Sequence, residues 1–294
     1  MTRLAPILTV LAALIAIWYG AAIWLNSQWT RDQAERAGTE LTFAEILADT
    51  MAQDRPLLPA PHQVAAALWE GVAGQAVTSK RSLVYHGLAT LAATFSGFAL
   101  GIAMGLLMAV GIVHSRALDL SLMPWAIISQ TIPIVALAPM IVVLSNALDL
   151  GARLGIDNRF VAKTVIAAYL SYFPVLVGMI KGLRSPDPMQ LDLLRTYGAS
   201  AFQALWKLRL PAAMPYFFAS LKVAVAASLV GAIVGELPTG AIEGLGARML
   251  IGSQFGEPMI MWAALFASAL LAGALILIVG LVEKLARSRM GAAP

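Results

Sequence analysis

The chain has no cysteine among its 294 residues, which excludes disulfides and thiolate metal sites. Its three histidines, His62, His86 and His114, stand too far apart to suggest a ligand cluster, so no metal site is predicted. No lysine falls within a G-x-x-x-x-G-K-[ST] run, so the chain has no phosphate-binding loop of its own. Paired carboxylates and a nucleophile elbow are also missing, and an enzyme is not expected. Charge is scarce as well: 12% of residues are charged against 60% hydrophobic, with a mean hydropathy of +0.80. Soluble domains carry about 25% charged residues. The composition therefore excludes an ordinary soluble domain and indicates an all-α polytopic membrane protein. The net charge of +4 is small, and it fits topology and lipid headgroup contact rather than nucleic acid.

Apolar runs near the ~20 residues that cross a bilayer as a helix recur six times. The first covers residues 1–25, its core beginning at Leu4, and ends among Trp18, Tyr19, Trp24 and Trp29, which suits an interface. Its length exceeds the 7–15 apolar residues of a signal peptide, so it reads as a retained span. Residues 26–84 form the one sizeable extramembrane segment, with seven acidic and five basic residues. Within it, Leu58-Pro59-Ala60-Pro61 leads into a predicted amphipathic helix from His62, carrying Val64, Leu68 and Val72 beside Trp69.

Residues 85–283 hold the other five spans, and 284–294 form a tail. The second span contains Gly97, Gly101 and Gly105, a smooth stripe on which a neighbouring helix can approach closely. The third, Leu120 to Leu148, is interrupted by Pro124, Pro133 and Pro139, with Ser129-Gln130-Thr131 just ahead of Pro133. Each proline removes a backbone hydrogen bond, and freed carbonyls survive in a membrane only beside protein or water. Gln130, Thr131 and Pro133 are therefore candidate walls of a translocation pathway, the alternative being a packing kink. The fourth span runs from Phe160 to Leu183, with Lys163 and Lys181 placed to snorkel. The fifth, Tyr216 to Glu236, contains Lys222, only about two turns in and so again expected to snorkel, and a further close-packing pair, Gly231 and Gly235. Glu236 is either a pathway acid or a helix-end partner. A Gly-rich stretch from Leu237 to Pro258 precedes the sixth span, Met259 to Val282.

Six spans place both termini on one side. Outside the long first loop, eleven Lys and Arg fall on the side of the termini (Arg3, Arg116, Lys181, Arg184, Arg195, Lys207, Arg209, Lys222, Lys284, Arg287, Arg289) and four on the other (Arg153, Arg159, Lys163, Arg248). The positive-inside rule then puts the termini, and the loop at 184–215, in the cytoplasm.

In that loop Leu193 and Tyr197 share one helical face, and after Gly198 so do Phe202, Leu205 and Trp206. Two short helices joined at a glycine would present apolar ridges flanked by basic residues. Such a pair could fill a socket on another protein or rest on lipid. The spacing Asp192-x5-Gly198-x9-Leu208-x-Leu210-Pro211 resembles the cytoplasmic loop of the inner-membrane permeases of binding-protein-dependent ABC importers, written Glu-Ala-Ala, three residues, Gly, nine residues, Ile, one residue, Leu-Pro. Asp192 stands for the glutamate, Leu193 and Leu194 for the alanines, and Leu208 for the isoleucine. The likeness covers roughly Leu83 to Glu283, and Leu58-Pro59-Ala60-Pro61 is similar to the nitrate, sulfonate and taurine branch.

The resemblance implies a type I importer permease fold in a bacterial inner membrane. It implies an ATPase subunit pair docked on the loop and holding ATP and Mg, a periplasmic solute-binding protein, and a permease homodimer in lipid. Gly244-Leu245-Gly246 resembles a turn of that family. The solute would be nitrate, a sulfonate or taurine, or a pyrimidine-type precursor. The competing class, an ATP-independent secondary transporter or channel, would be expected to use intramembrane ionisable residues or inverted repeats.

Overall fold

A computed structural model describes residues 4–289. Arg3 of the charge count and the end of the predicted tail, 290–294, lie outside them. The described residues are helical in this order: α1 (Leu4–Ala37), α2 (Phe43–Ala52), α3 (Pro61–Trp69) running into a π turn (Glu70–Gly74), α4 (Leu83–His114), α5 (Arg116–Ser129), α6 (Ile134–Ala147), α7 (Leu150–Leu154), α8 (Asn158–Leu183), α9 (Pro188–Thr196), α10 (Ala201–Ala204) running through a π turn (Leu205–Arg209) into α11 (Leu210–Glu236), α12 (Leu245–Gln254) and α13 (Pro258–Arg289).

Several helices overrun their expected ends. The first does not stop at Leu25, because Asn26 and Thr30, once past the apolar core, find polar partners on the segment that follows. The Asn26 side chain pairs with both backbone groups of Leu58, at 2.8 and 3.0 Å, and the Thr30 hydroxyl donates to Asp49 at 2.7 Å. The sixth span runs on through the expected tail to Arg289, since Glu283 and Arg287 pair one turn apart at 3.1 Å. The stretch after Glu236 is not all turn: α12 forms within it. The amphipathic helix starts at Pro61 and continues through the π turn past Val72, the end of its apolar period. It buries Val64, but Trp69 and Val72 are exposed.

Residues 1–86 with 248–268 form one compact unit. Here Trp18 packs on Trp262 and Phe266, and its indole N–H donates to the Pro59 carbonyl at 3.0 Å. Trp24 and Trp29 stay exposed, as interfacial tryptophans would. A cavity of about 660 Å³ is lined by Arg81 and Arg248 together with Asp54, Glu70 and Glu257. Burial lowers the Arg248 pKa, Glu257 opposes that shift, and Arg81 adds to it.

Residues 87–247 with 269–294 form the second unit, built around α8. A Cβ placed at Gly97, Gly101 or Gly105 would strike α8 at Ala167, Ser171 and Val175 in turn. On the other flank, Gly231 and Gly235 of α11 meet Ala167 and Lys163, while Gly178 and Gly182 of α8 meet Ser220 and Ala213 of α11. Glycine stripes thus bring three backbones together where the hydrophobic effect gives helices no reason to associate. Hydroxyls link the same helices: Ser171 to the Gly97 carbonyl at 3.3 Å and Ser228 to the Thr94 carbonyl at 2.8 Å.

The order of these contacts fixes directions. Contacts rise together along α4 and α8, so the two are parallel; along α11 they fall, so it is antiparallel to both. Between α4 and α8 the chain must return across the layer. The bent pair α5 and α6, which meet at 103°, makes that return. Among the described residues five helices are by themselves long and apolar enough to span a membrane, and the bent pair, taken as one span, makes six.

Two lysines expected to snorkel do otherwise. Lys163 is buried beside Gly235, since that glycine leaves room for its stem. Lys222 reaches Glu283 of α13 at 2.6 Å, and Glu283 also holds Arg287. Replacing Glu283 with Gln leaves two cations beside each other in a partly buried site. The expected loss is ~1–2 kcal/mol, between exposed and buried ion pairs, read as a lower unfolding temperature in detergent. Lys222→Met in the same chain should restore part of it.

Candidate functional site

The loop between α8 and α11 is built from local signals that close on one another. Asp187 caps α9, its carboxylate accepting from the Met189 amide at 2.8 Å, and Pro188 takes the first helical position. The helix ends in a Schellman turn: the Ala199 amide donates to the Leu194 carbonyl at 3.0 Å and the Gly198 amide to the Arg195 carbonyl at 2.9 Å. That turn needs a left-handed residue, and Gly198 has φ +70°. Ser200 then opens α10 with a capping box, exchanging hydrogen bonds with Gln203 at 2.9 and 3.2 Å.

The result is a short two-helix elbow with an apolar outer surface. Tyr197 is 80% exposed and Phe202 67%, and Met189, Leu193 and Trp206 are exposed beside them. The Phe202 and Trp206 rings lie 5.9 Å apart. Asp192 pairs with Arg195 at 3.0 Å and does not join the ridge. Leu208 and Leu210 are half-buried, packing toward the spans. Leu210-Pro211 does not end the second helix. The π turn at 205–209 bonds Leu210 back to Leu205, which widens the turn ahead of Pro211 and accommodates its missing N–H, so the helix continues into the fifth span. The loop proper is therefore 184–209. Arg184 anchors it to the α4–α5 corner through Asp119 at 2.8 Å.

At the break in the third crossing, Gln130 is half-buried while Thr131 and Pro133 are exposed. The break is held by two residues that the sequence reading did not single out, Tyr169 and Tyr172 of α8. Tyr169 donates to the Ser129 carbonyl, and Tyr172 bonds the Ser129 hydroxyl. Glu236 stands apart from this cluster. It is 0% exposed, and its carboxylate accepts from Thr90 at 2.8 Å and from the Gly246 amide at 2.7 Å. A Cβ on Gly244 would land on that carboxylate, and one on Gly246 would come within 3.0 Å of it. Glu236 thus lines no open surface here. It fastens the Gly244-Leu245-Gly246 turn to α4. Spacing alone could not reveal this, because Thr90 lies 146 residues away.

Residues 101–291 match the family profile described as the binding-protein-dependent transport system inner membrane component. A probable ABC transporter permease protein of Haemophilus influenzae is 35% identical over 67% of this chain and 75% of its own length. A formylaminopyrimidine transport permease protein of Halalkalibacterium halodurans is 32% identical over 73% of this chain and 78% of its own. Among solved structures, a chain of the MetNI methionine ABC transporter in inward-facing form aligns with a TM-score of 0.51 at 18% identity, covering 76% of this chain and 95% of that one.

Proposed function

The chain belongs to the inner-membrane component family of binding-protein-dependent transport systems, and on that premise we propose that it carries a small solute inward through a bacterial inner membrane as one of two permease copies, driven by a separate ATPase pair. The observation that supports this reading is the exposed ridge Met189, Leu193, Tyr197, Phe202 and Trp206 on a rigid two-helix elbow. An aromatic ridge of this size is costly to leave in water and suits a socket on a partner.

ATP and Mg would sit on the ATPase, since the sequence has no loop to cradle phosphate. Closure of the ATPase pair would push on the elbow, and rocking of the two bundles would alternate access. A periplasmic binding protein would deliver the solute on the opposite face. The basic excess at the elbow end supports a cytoplasmic position for that end and both termini.

A secondary transporter is less well supported. The buried Glu236 and the half-buried Glu283 of the described spans are both engaged with fixed partners. Relatives named for riboflavin and formylaminopyrimidine transport are 31% and 32% identical, against 26% for those named for aliphatic sulfonates and taurine. That order favours a pyrimidine-type or other ring-bearing solute over a sulfonate. Mass spectrometry of the ligand on a co-purified binding protein decides it, and a sulfonate there removes this preference.

The docking reading is tested in the naturally cysteine-free background. Ala199→Cys and Ala201→Cys should each cross-link to a cysteine-bearing ATPase subunit on mild oxidation. Labelling of either position by an impermeant maleimide added from the periplasm would overturn the orientation.

A further inference from the structure

Pro133 has no amide hydrogen, so the Ser129 carbonyl four residues earlier has lost its helical donor. The Ile132 amide approaches that carbonyl only at 3.4 Å. Tyr169, reaching across from α8, donates to it instead. The side chain of Ser129 can be accounted for in the same way. Its hydroxyl donates to the Ala126 carbonyl at 2.7 Å, which leaves two lone pairs; the Gln130 amide nitrogen lies 3.2 Å from the oxygen and the Tyr172 hydroxyl takes the other position. Both oxygens of Ser129 are thereby bonded through α8 or within the break.

In hydrocarbon an under-bonded carbonyl is costly, so parting the break from α8 leaves the Ser129 carbonyl only the long Ile132 bond. The same helix leads to the elbow. From Tyr169 to Leu183 α8 runs as one helix, about 21 Å at 1.5 Å per residue; Pro174 within it has no amide for the Leu170 carbonyl, and Gly105 packs at that level, against Tyr172, Val175 and Leu176. Along that length it is gripped by Gly105 of α4 on one side, and its own Gly178 and Gly182 press on α11 on the other. A helix so enclosed transmits displacement along or about its axis more readily than it bends.

We propose that Tyr169 and Tyr172 are positioning residues of the transport cycle: they pin the Gln130–Pro133 break to α8, so that a displacement of the elbow travels along α8 and resets the bend between α5 and α6. The resetting step rests on the reading of the elbow as the ATPase-docking site; the pin itself does not.

The test uses Trp125→Cys on α5 and Val143→Cys on α6, both exposed positions, spin-labelled in nanodiscs. In the isolated permease, the wild-type break should give one narrow interspin distance. Tyr169→Phe should broaden it, and Tyr172→Phe, which spares the bond to the Ser129 carbonyl, should broaden it less. An unchanged narrow distribution in Tyr169→Phe overturns the pin whatever the elbow does.

With the ATPase pair and binding protein added, ATP should shift the wild-type distance. Tyr169→Phe should cut solute uptake about tenfold, the scale of one lost buried hydrogen bond, with ATP hydrolysis within about twofold of wild type. Pro133→Ala returns an amide donor to the Ser129 carbonyl, so Tyr169→Phe in that background should cost far less uptake than in the native one. Equal losses in the two backgrounds would show that Tyr169 acts through something other than the missing proline donor. A wild-type distance that ATP leaves unmoved overturns the transmission while the pin stands on the isolated-permease result.

Discussion

Gly198→Val should abolish solute uptake while leaving the chain inserted at normal abundance. The reason is conformational. Gly198 sits at φ +70°, and a Cβ there would meet nothing within 4 Å, so the substitution introduces no clash within the chain. What valine cannot do is hold the left-handed backbone, at a cost of ~1–3 kcal/mol for a non-glycine residue and more when β-branched. Losing the two hydrogen bonds of the Schellman turn would let α9 and α10 swing apart and scatter the ridge. Three variants separate backbone from contact. Gly198→Asn, which tolerates this conformation, should keep most uptake, Gly198→Ala should be intermediate, and Gly198→Val should have little. If Asn and Val fail alike, the partner is sensing bulk at this position rather than the angle.

Much of this elbow was legible because its information is local. Gly198 is read from the sequence as the joint of two short helices; the Asp187-Pro188 and Ser200-x-x-Gln203 caps beside it are equally local signals that the sequence reading did not single out. The glycine stripes were legible for the same reason: residues four apart share a helix face whatever lies opposite. What lay opposite was not legible. Nothing along the chain announces that Gly97 and Gly231 both close on Ala167, or that Thr90 holds Glu236. Lys222 near a helix end has the pattern of a snorkelling lysine, and only the return of α13 brings Glu283 to it. The same holds at the break. Pro133 marks a lost hydrogen bond in the sequence, but the donor that replaces it stands 40 residues away on Tyr169. The overrun of α1 and α13 has a related cause, since composition ends an apolar run where polarity begins, and helices end where partners do.

Gly105→Leu should be the most damaging single change in the helix core. A Cβ at Gly105 would lie 2.7 Å from the Tyr172 carbonyl oxygen and 3.0 Å from the Leu176 amide nitrogen. Both obstacles are backbone, so no rotamer change relieves them and α4 must move away from α8. Overpacking of a dense core ordinarily costs ~1–3 kcal/mol. Here the displacement also draws apart Gly101 and Ser171, and Gly97 and Ala167, along the same stripe, so the loss should exceed that range. Even Gly105→Ala should lower the unfolding temperature in detergent, whereas Gly273→Ala, with open space around it, should leave it unchanged or raise it through the better helix propensity of alanine. The two substitutions add the same methyl group to a span, so a difference between them measures the interhelical contact alone. Equal effects would mean that α4 and α8 are not in contact at this glycine. Because Tyr172 lies at the Gly105 contact and also bonds Ser129, the Gly105 variants should in addition loosen the break between α5 and α6, broadening the Trp125→Cys to Val143→Cys distance even where the chain still folds.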